Sequence, residues 1–229
     1  MLSLFLNNKI ENVYWFFIPL FSCYLCIPVL SLLKNNRRIM KYLVACGLIT
    51  HSVLPVLCQL CGLEYNSSFY FPMTGGYIIY VLLGYLLSTE DFNLKQRYIL
   101  YGSAVLCAML RYFSTVIISE VSGEFYKMFW GYTNFPAVGL AMGVFVLFKY
   151  IKWDKLFSSI SKVKILTSVA SASFGIYLIH MIVMNVFYWY GVNTQGLKWR
   201  VIGPVLVYII SLIIVKLLQK VPIIKKIIP

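Results

Sequence analysis

Long apolar runs, separated by short polar and basic clusters, make up most of the chain from residue 13 onwards. A helix needs about 20 mostly apolar residues to cross the roughly 30 Å hydrocarbon layer of a membrane. These runs do not alternate polar with apolar residues as membrane β-strands do, so each predicts a helix. Seven runs qualify, at about 13–33, 41–62, 72–88, 97–119, 132–151, 165–190 and 199–219.

Composition makes the membrane assignment stronger. The 229 residues are 61% hydrophobic and 12% charged, whereas soluble domains are about 45–50% apolar and about 25% charged. A water-soluble fold of this length cannot hide so much apolar surface. We therefore predict an all-α polytopic bundle of about seven membrane-spanning helices in the lipid bilayer, forming a single domain over residues 1–229.

The net charge of +13 does not indicate nucleic acid, because the basic residues form no continuous face of the kind that binds it. They cluster between the apolar runs instead. If the amino terminus lies outside, fifteen basic residues fall in inward segments, four in outward segments and one, Arg111, within a span. This bias predicts an outward amino terminus and an inward carboxyl terminus.

The six cysteines include two C-x-x-C pairs, at 23/26 and at 58/61. This spacing occurs in zinc sites. Both pairs lie within apolar runs with no charged or polar ligands beside them to support a thiolate site, and there cysteine packs as a small apolar residue. We expect no metal site.

Three ionisable side chains within the predicted spans are candidates for substrate binding: Arg111, His180 and His51. Such groups are costly in a membrane and usually face the bundle interior or a wet cavity. Arg111 either extends towards the interface or holds a phosphate or carboxylate in a cavity. His180 either contacts an acceptor hydroxyl or developing oxyanion, or is a neutral imidazole bonded to a backbone carbonyl or a serine in a neighbouring helix. For His51, a polar packing role across helices is the alternative.

Four stretches resemble a known family: "YWFFIPLFSCYLCIPVLSLL" (14–33), "GGYIIYVLLGYLLS" (75–88), "SASFGIYLIHMIVM" (171–184) and "VPIIKKIIP" (221–229). Together they are similar to the bacterial membrane acyltransferases called acyltransferase family 3. The Ser-Phe-Gly-Ile-Tyr-Leu-Ile-His run is the most specific of them.

This resemblance implies O-acyl transfer, with acetyl the expected group, from an acyl-CoA donor to a glycan or other sugar hydroxyl. It also implies a multi-pass location in the bacterial cytoplasmic membrane. The chain is similar only to the last seven of the family's typical ten helices, so we expect three amino-terminal helices to be lacking. No stretch matches the family's catalytic histidine motif, so no catalytic residue is assigned and enzymatic activity of this chain stays open. A transporter or a component of a lipid-linked-glycan flippase is the alternative.

Overall fold

A computed structural model describes residues 15–157, 160–194 and 196–221, and within these ranges there are helices and turns but no strand. The helices are α1 (Phe17–Ser31), α2 (Arg37–Gly47), α3 (Leu54–Leu60), α4 (Ile78–Thr89), α5 (Leu94–Ser122), α6 (Phe135–Tyr150), α7 (Trp153–Leu156), α8 (Ile160–Trp189) and α9 (Leu197–Leu218). The all-α prediction is confirmed.

Six helical segments in the described part of the chain are long and apolar enough to cross a membrane: Phe17–Asn35, Arg37–Leu60, Leu94–Ser122, Met128–Tyr150, Val163–Trp189 and Leu197–Leu218. Large apolar side chains cover their outer surfaces; Leu25, for example, is 81% exposed and Leu106 is 67% exposed. The chain is therefore a multi-pass membrane protein, as its composition predicts.

The third predicted run, 72–88, forms a shorter helix than expected. α4 has 12 residues, which corresponds to about 18 Å of helix. The run begins with a 3₁₀ turn at Pro72–Thr74, and Gly76 then takes a left-handed φ of 60°. An ordinary helix cannot pass through that conformation, so the helix starts only at Ile78.

The chain divides into two compact units, unit 1 over residues 1–151 and unit 2 over residues 152–229. The prediction of one domain over the whole chain stays a prediction. The terminal segments 1–14 and 222–229, with three of the counted basic residues and nearly all of the family-like tail, lie outside the described residues.

The core of unit 1 joins α2, α4 and α6. Met40 and Leu43 of α2 pack with Ile79 and Leu82 of α4 and with Val138 of α6, and all five are 6% exposed or less. Lipid tails are as apolar as these side chains, so close packing within the cluster, rather than the hydrophobic effect, holds α4 against α2 and α6.

Small residues let α5 and α6 approach closely. A Cβ added at Gly143 would lie 2.3 Å from the Cβ of Ala104, and one at Gly139 would lie 2.7 Å from the Sγ of Cys107. The pattern is Gly-x-x-x-Gly, which places both glycines on one helix face and is typical of tight membrane-helix contacts. Cys107 thus packs at a helix contact.

The carboxyl end of α4 is held by cations from neighbouring helices. Lys149 donates from Nζ to the carbonyl oxygens of Leu87, at 3.0 Å, and of Glu90. Arg37 donates to the carbonyl of Thr89 at 2.9 Å. The last carbonyls of a helix have no partner within the helix and carry partial negative charge, so these cations satisfy them.

Unit 2 contains an antiparallel pair formed by α8 and α9. Ala172 and Ile176 of α8 pack against Val215 of α9 in a buried cluster. Ser211 of α9 is fully buried, and its hydroxyl has no hydrogen-bond partner among the residues that the structure describes.

Candidate functional site

His51 lies in a π-helical segment, Leu48–Val53, between α2 and α3. Pro55 follows the segment and has no N–H to donate to the carbonyl of His51, four residues earlier. The N–H of Leu54, the residue before this proline, bonds to the Ile49 carbonyl five residues back. Such π-bulges are frequent at functional sites.

The π-segment ties the helix to two loops of unit 1. His51 bonds through Nε2 to the Phe71 carbonyl at 3.0 Å, and its ring stacks on Tyr70 at 4.6 Å between centroids. Thr50 accepts from the Phe71 N–H at 3.2 Å, and Ser52 donates to the Thr133 carbonyl. His51 is bonded to a loop carbonyl rather than across helices, and its role in substrate binding stays a prediction.

Arg111 lies among aromatic residues near the same loops. Its Nη2 is 3.5 Å from the carbonyl oxygen of Trp130, which is at the outer limit of a hydrogen bond. The phenol of Tyr80 is close enough to interact with it electrostatically. Arg111 is half-buried. It bonds to the Trp130 carbonyl whereas His51 bonds to the Phe71 carbonyl, so these two predicted residues share no hydrogen-bond partner among the described residues.

An aromatic cluster continues from Tyr80. Its hydroxyl donates to the Tyr132 carbonyl, Tyr132 stacks on Trp15 at 4.9 Å, and Tyr77 stacks on Tyr80 at 6.1 Å. Burial, and secondarily the neighbouring Tyr132, raise the pKa of Tyr77. This phenol therefore stays protonated at neutral pH.

In unit 2, a cavity of about 470 Å³ lies between α8 and α9. Most of its wall is apolar, but it carries a small set of polar side chains. The polar and aromatic residues that line it are Ser173, Tyr177, His180, Trp199, Arg200 and Tyr208. This volume and character are those of a small-molecule site.

The tautomer of His180 follows from its hydrogen bond. Nδ1 lies 2.6 Å from the carbonyl oxygen of Tyr177, one turn earlier in α8. A carbonyl oxygen only accepts, so Nδ1 carries the proton and donates. In the neutral ring Nε2 then holds a lone pair, which makes His180 a base at the wall of the cavity. The alternative of a backbone carbonyl partner is thus observed, although the carbonyl belongs to the same helix.

Trp199 reaches the cavity because residue 203 is a glycine. A Cβ at Gly203 would lie 2.6 Å from the indole of Trp199, so the ring folds over the space that a side chain would fill. Phe187 packs edge-on against the same indole, at 4.9 Å between ring centroids. Trp199 therefore presents a flat apolar surface beside His180.

Arg200 is the charged lining residue that the sequence analysis did not select. Its position, close to the start of the last apolar run, suggested only an outward basic residue. Two signals could have identified it: Pro204, four residues later, leaves the Arg200 carbonyl without its helical N–H donor, and residues 200 and 204 share one helix face. Both residues line the cavity.

A second cavity, of about 420 Å³, lies towards the other end of the α8–α9 pair. Lys164 and Lys216 line it, and Lys216 also donates to the hydroxyl of Ser171 at 3.3 Å. Ile176 of the buried cluster lines the first cavity, and Val215 of the same cluster lies between Leu212 and Lys216, which line the second.

Comparison with protein families identifies the chain. A family model described as an acyltransferase domain, acyltransferase family 3, matches residues 4–218. The chain belongs to this family. The resemblance seen in the sequence is thereby confirmed. Searches of curated proteins and of solved structures gave no match.

For a membrane acyltransferase, the cavity in unit 2 offers three useful chemical groups. A histidine base can take a proton from a hydroxyl nucleophile. A guanidinium can bind an oxyanion through two parallel hydrogen bonds. An indole face can cover the apolar side of a ligand. His180, Arg200 and Trp199 all line this cavity. Arg111 and His51 are not among its lining residues.

Proposed function

We propose that this chain is an O-acyltransferase that moves an acyl group, with acetyl the first candidate, from acyl-CoA to a sugar hydroxyl. The observation that carries the proposal is His180 at the wall of the unit 2 cavity, with its Nδ1 proton committed to the Tyr177 carbonyl and its Nε2 lone pair left as a base. Family membership supplies the reaction class.

In the proposed reaction, Nε2 of His180 takes the proton of the acceptor hydroxyl as its oxygen attacks the thioester carbonyl carbon. The new C–O ester bond forms, the C–S bond breaks, and the leaving thiolate of CoA takes the proton from His180. The Tyr177 carbonyl stabilises the transient imidazolium because it continues to accept from Nδ1–H. The ring returns to its starting tautomer.

The donor and acceptor would approach from opposite faces of the membrane. The basic bias of the sequence supports an arrangement with the carboxyl end of α9 inside and its start outside, in the bacterial cytoplasmic membrane that the family resemblance implies. Lys164 and Lys216 would then lie at the inner side, where their charges suit the phosphates of CoA. The acceptor glycan would reach His180 and Arg200 from the outer side.

The experiment uses the purified 229-residue chain in phosphatidylcholine nanodiscs, with acetyl-CoA as donor and methyl glucosides and chitooligosaccharides as acceptors. Mass spectrometry of the sugars detects the O-acetyl product. We expect His180→Gln to lower the rate roughly a hundredfold or more, since general bases contribute about 10²–10⁴. Thr167→Val, an exposed position on the same helix, should not change it.

Two results contradict the proposal. One is the absence of ester product from every donor–acceptor pair with the folded wild-type chain. The other is transfer by the His180→Gln variant at the wild-type rate. The alternative of a transporter or flippase component rests on the multi-pass architecture alone, whereas the family match favours acyl transfer.

A further inference from the structure

We infer that the unit 2 cavity binds a sugar that carries an oxyanion, a carboxylate or a phosphate, and that Arg200 holds this group. The identification of that sugar as the acyl acceptor rests on the proposed function. The binding site itself rests on the residues that line the cavity and on the charges of unit 2.

Arg200 has no acidic partner available in its own unit. Residues 152–229 contain ten basic side chains and a single acidic one, Asp154. Asp154 precedes α8, and the stretch of α8 from Ile160 to His180 alone is about 30 Å long. The ion pairs of the described residues involve Lys41 and Lys149 of unit 1. The side chain of Arg200 is exposed and cannot lose its proton, so its charge is available to an anion that enters the cavity.

The position of Arg200 near the start of α9 also favours the binding of an anion. α9 begins at Leu197, so Arg200 lies in its first turn, where the helix dipole already contributes partial positive charge. A cation at this position is unfavourable without a counter-charge, and an anion bound there interacts favourably with both the side chain and the helix start.

The rest of the wall suits a sugar better than a bare ion. The indole of Trp199, held in place over Gly203, gives a flat surface for the apolar face of a sugar ring. The Arg200 carbonyl, without an N–H from Pro204, and the hydroxyl of Tyr208 can bond to sugar hydroxyls. A volume of about 470 Å³ lies within the usual range for small-ligand sites, about 300–1,000 Å³.

The test compares sugars that differ mainly in charge. Glucose, glucuronate and glucose 6-phosphate are titrated against the full chain in phosphatidylcholine nanodiscs, and dissociation constants are measured by isothermal titration calorimetry. We expect both anionic sugars to bind about tenfold or more tightly than glucose, because hydrogen bonds to charged groups are the stronger ones. Arg200→Gln should abolish this preference, and Arg200→Lys should retain part of it.

Lys198→Gln is the matched control, since it removes one positive charge from the same helix turn at a residue that does not line the cavity. It should keep the preference. Equal binding of glucose and glucuronate by the wild-type chain overturns the inference, and so does an equal loss in Lys198→Gln and Arg200→Gln.

A lipid headgroup is the other source of an oxyanion, and a second arm distinguishes it. The titrations are repeated in nanodiscs that contain phosphatidylglycerol. If this lipid displaces the anionic sugar in an Arg200-dependent manner, Arg200 is a headgroup site and the inference fails. Unchanged sugar binding supports it. His180→Gln separates the two proposals, because it should abolish acyl transfer while the preference for anionic sugars remains.

Discussion

The α5–α6 pair of unit 1 and the α8–α9 pair of unit 2 are both antiparallel, and both contain glycines. The space that these glycines leave is filled differently in the two pairs. Gly139 and Gly143 bring α6 close to α5, so that backbone and small side chains fill the contact. Gly203 instead receives the indole of Trp199 from its own helix. The first arrangement leaves no room for a ligand, and the second forms one wall of a cavity.

The difference shows what a glycine in a membrane helix can and cannot tell us. Its lack of a Cβ always creates space, but the sequence does not say whether a neighbouring helix or a nearby side chain will occupy it. Gly-x-x-x-Gly favours the first outcome. A tryptophan four residues before a lone glycine lies on the same helix face and favours the second.

The largest expected effect on stability comes from Gly143→Ala. The added Cβ would lie 2.3 Å from the Cβ of Ala104 and 3.0 Å from the Leu100 carbonyl oxygen, so α5 and α6 must separate. We expect the free energy of unfolding to fall by about 1–3 kcal/mol. The measurement is thermal unfolding in detergent. It is monitored by the thiol reactivity of a variant whose only cysteine is Cys107.

The control is Gly102→Ala in α5, where an added Cβ has no heavy atom within 4 Å. That change should be neutral or slightly stabilising. Recovery of stability in the Gly143→Ala, Ala104→Gly double variant would confirm the cause, and unchanged stability of Gly143→Ala alone would disprove the close contact.

Gly203→Ala should affect function more than folding. The new methyl group displaces the indole of Trp199, which can rotate away because it is a side chain. We expect acyl transfer to fall about tenfold, which corresponds to about 1.4 kcal/mol, with little change in unfolding temperature. A shift in the emission of a variant that keeps Trp199 as its sole tryptophan would report the movement. Loss of stability equal to that of Gly143→Ala would show that Gly203 is also a packing glycine.

Ser211→Ala is expected to have the smallest effect. The buried hydroxyl has no partner in the described structure, and removal of an unsatisfied polar group stabilises a fold by about 1 kcal/mol. The melting temperature of the variant should therefore equal or slightly exceed that of the wild type. A clear decrease would mean that the Ser211 hydroxyl has a partner, such as a water molecule.

The sequence predicts the helices of this protein well, because apolar length is what a membrane requires of a helix. It misses the early part of run 72–88, where the left-handed Gly76 delays the helix to Ile78. It also misses the π-segment around His51, although Pro55 was visible. A proline shows that a helical hydrogen bond is lost, but the replacement bond depends on neighbouring loops.

The candidate site was predicted less completely. His180 stood out because an ionisable residue in a long apolar run is rare. Arg200 did not, since basic residues near the ends of apolar runs are common and report topology. Only the pairing of α8 with α9 shows that these two side chains line the same cavity. The same structure gives Arg111 a carbonyl and an aromatic neighbour instead.

The cations that hold the end of α4 have a consequence for the thickness of the barrier. α4 extends over only about 18 Å, yet the carbonyls of Leu87 and Glu90 need no water because the ammonium of Lys149 bonds to both. The helix can therefore end below the level of the lipid headgroups. α4 is thereby roughly 12 Å shorter than the hydrocarbon layer that a membrane-spanning helix crosses.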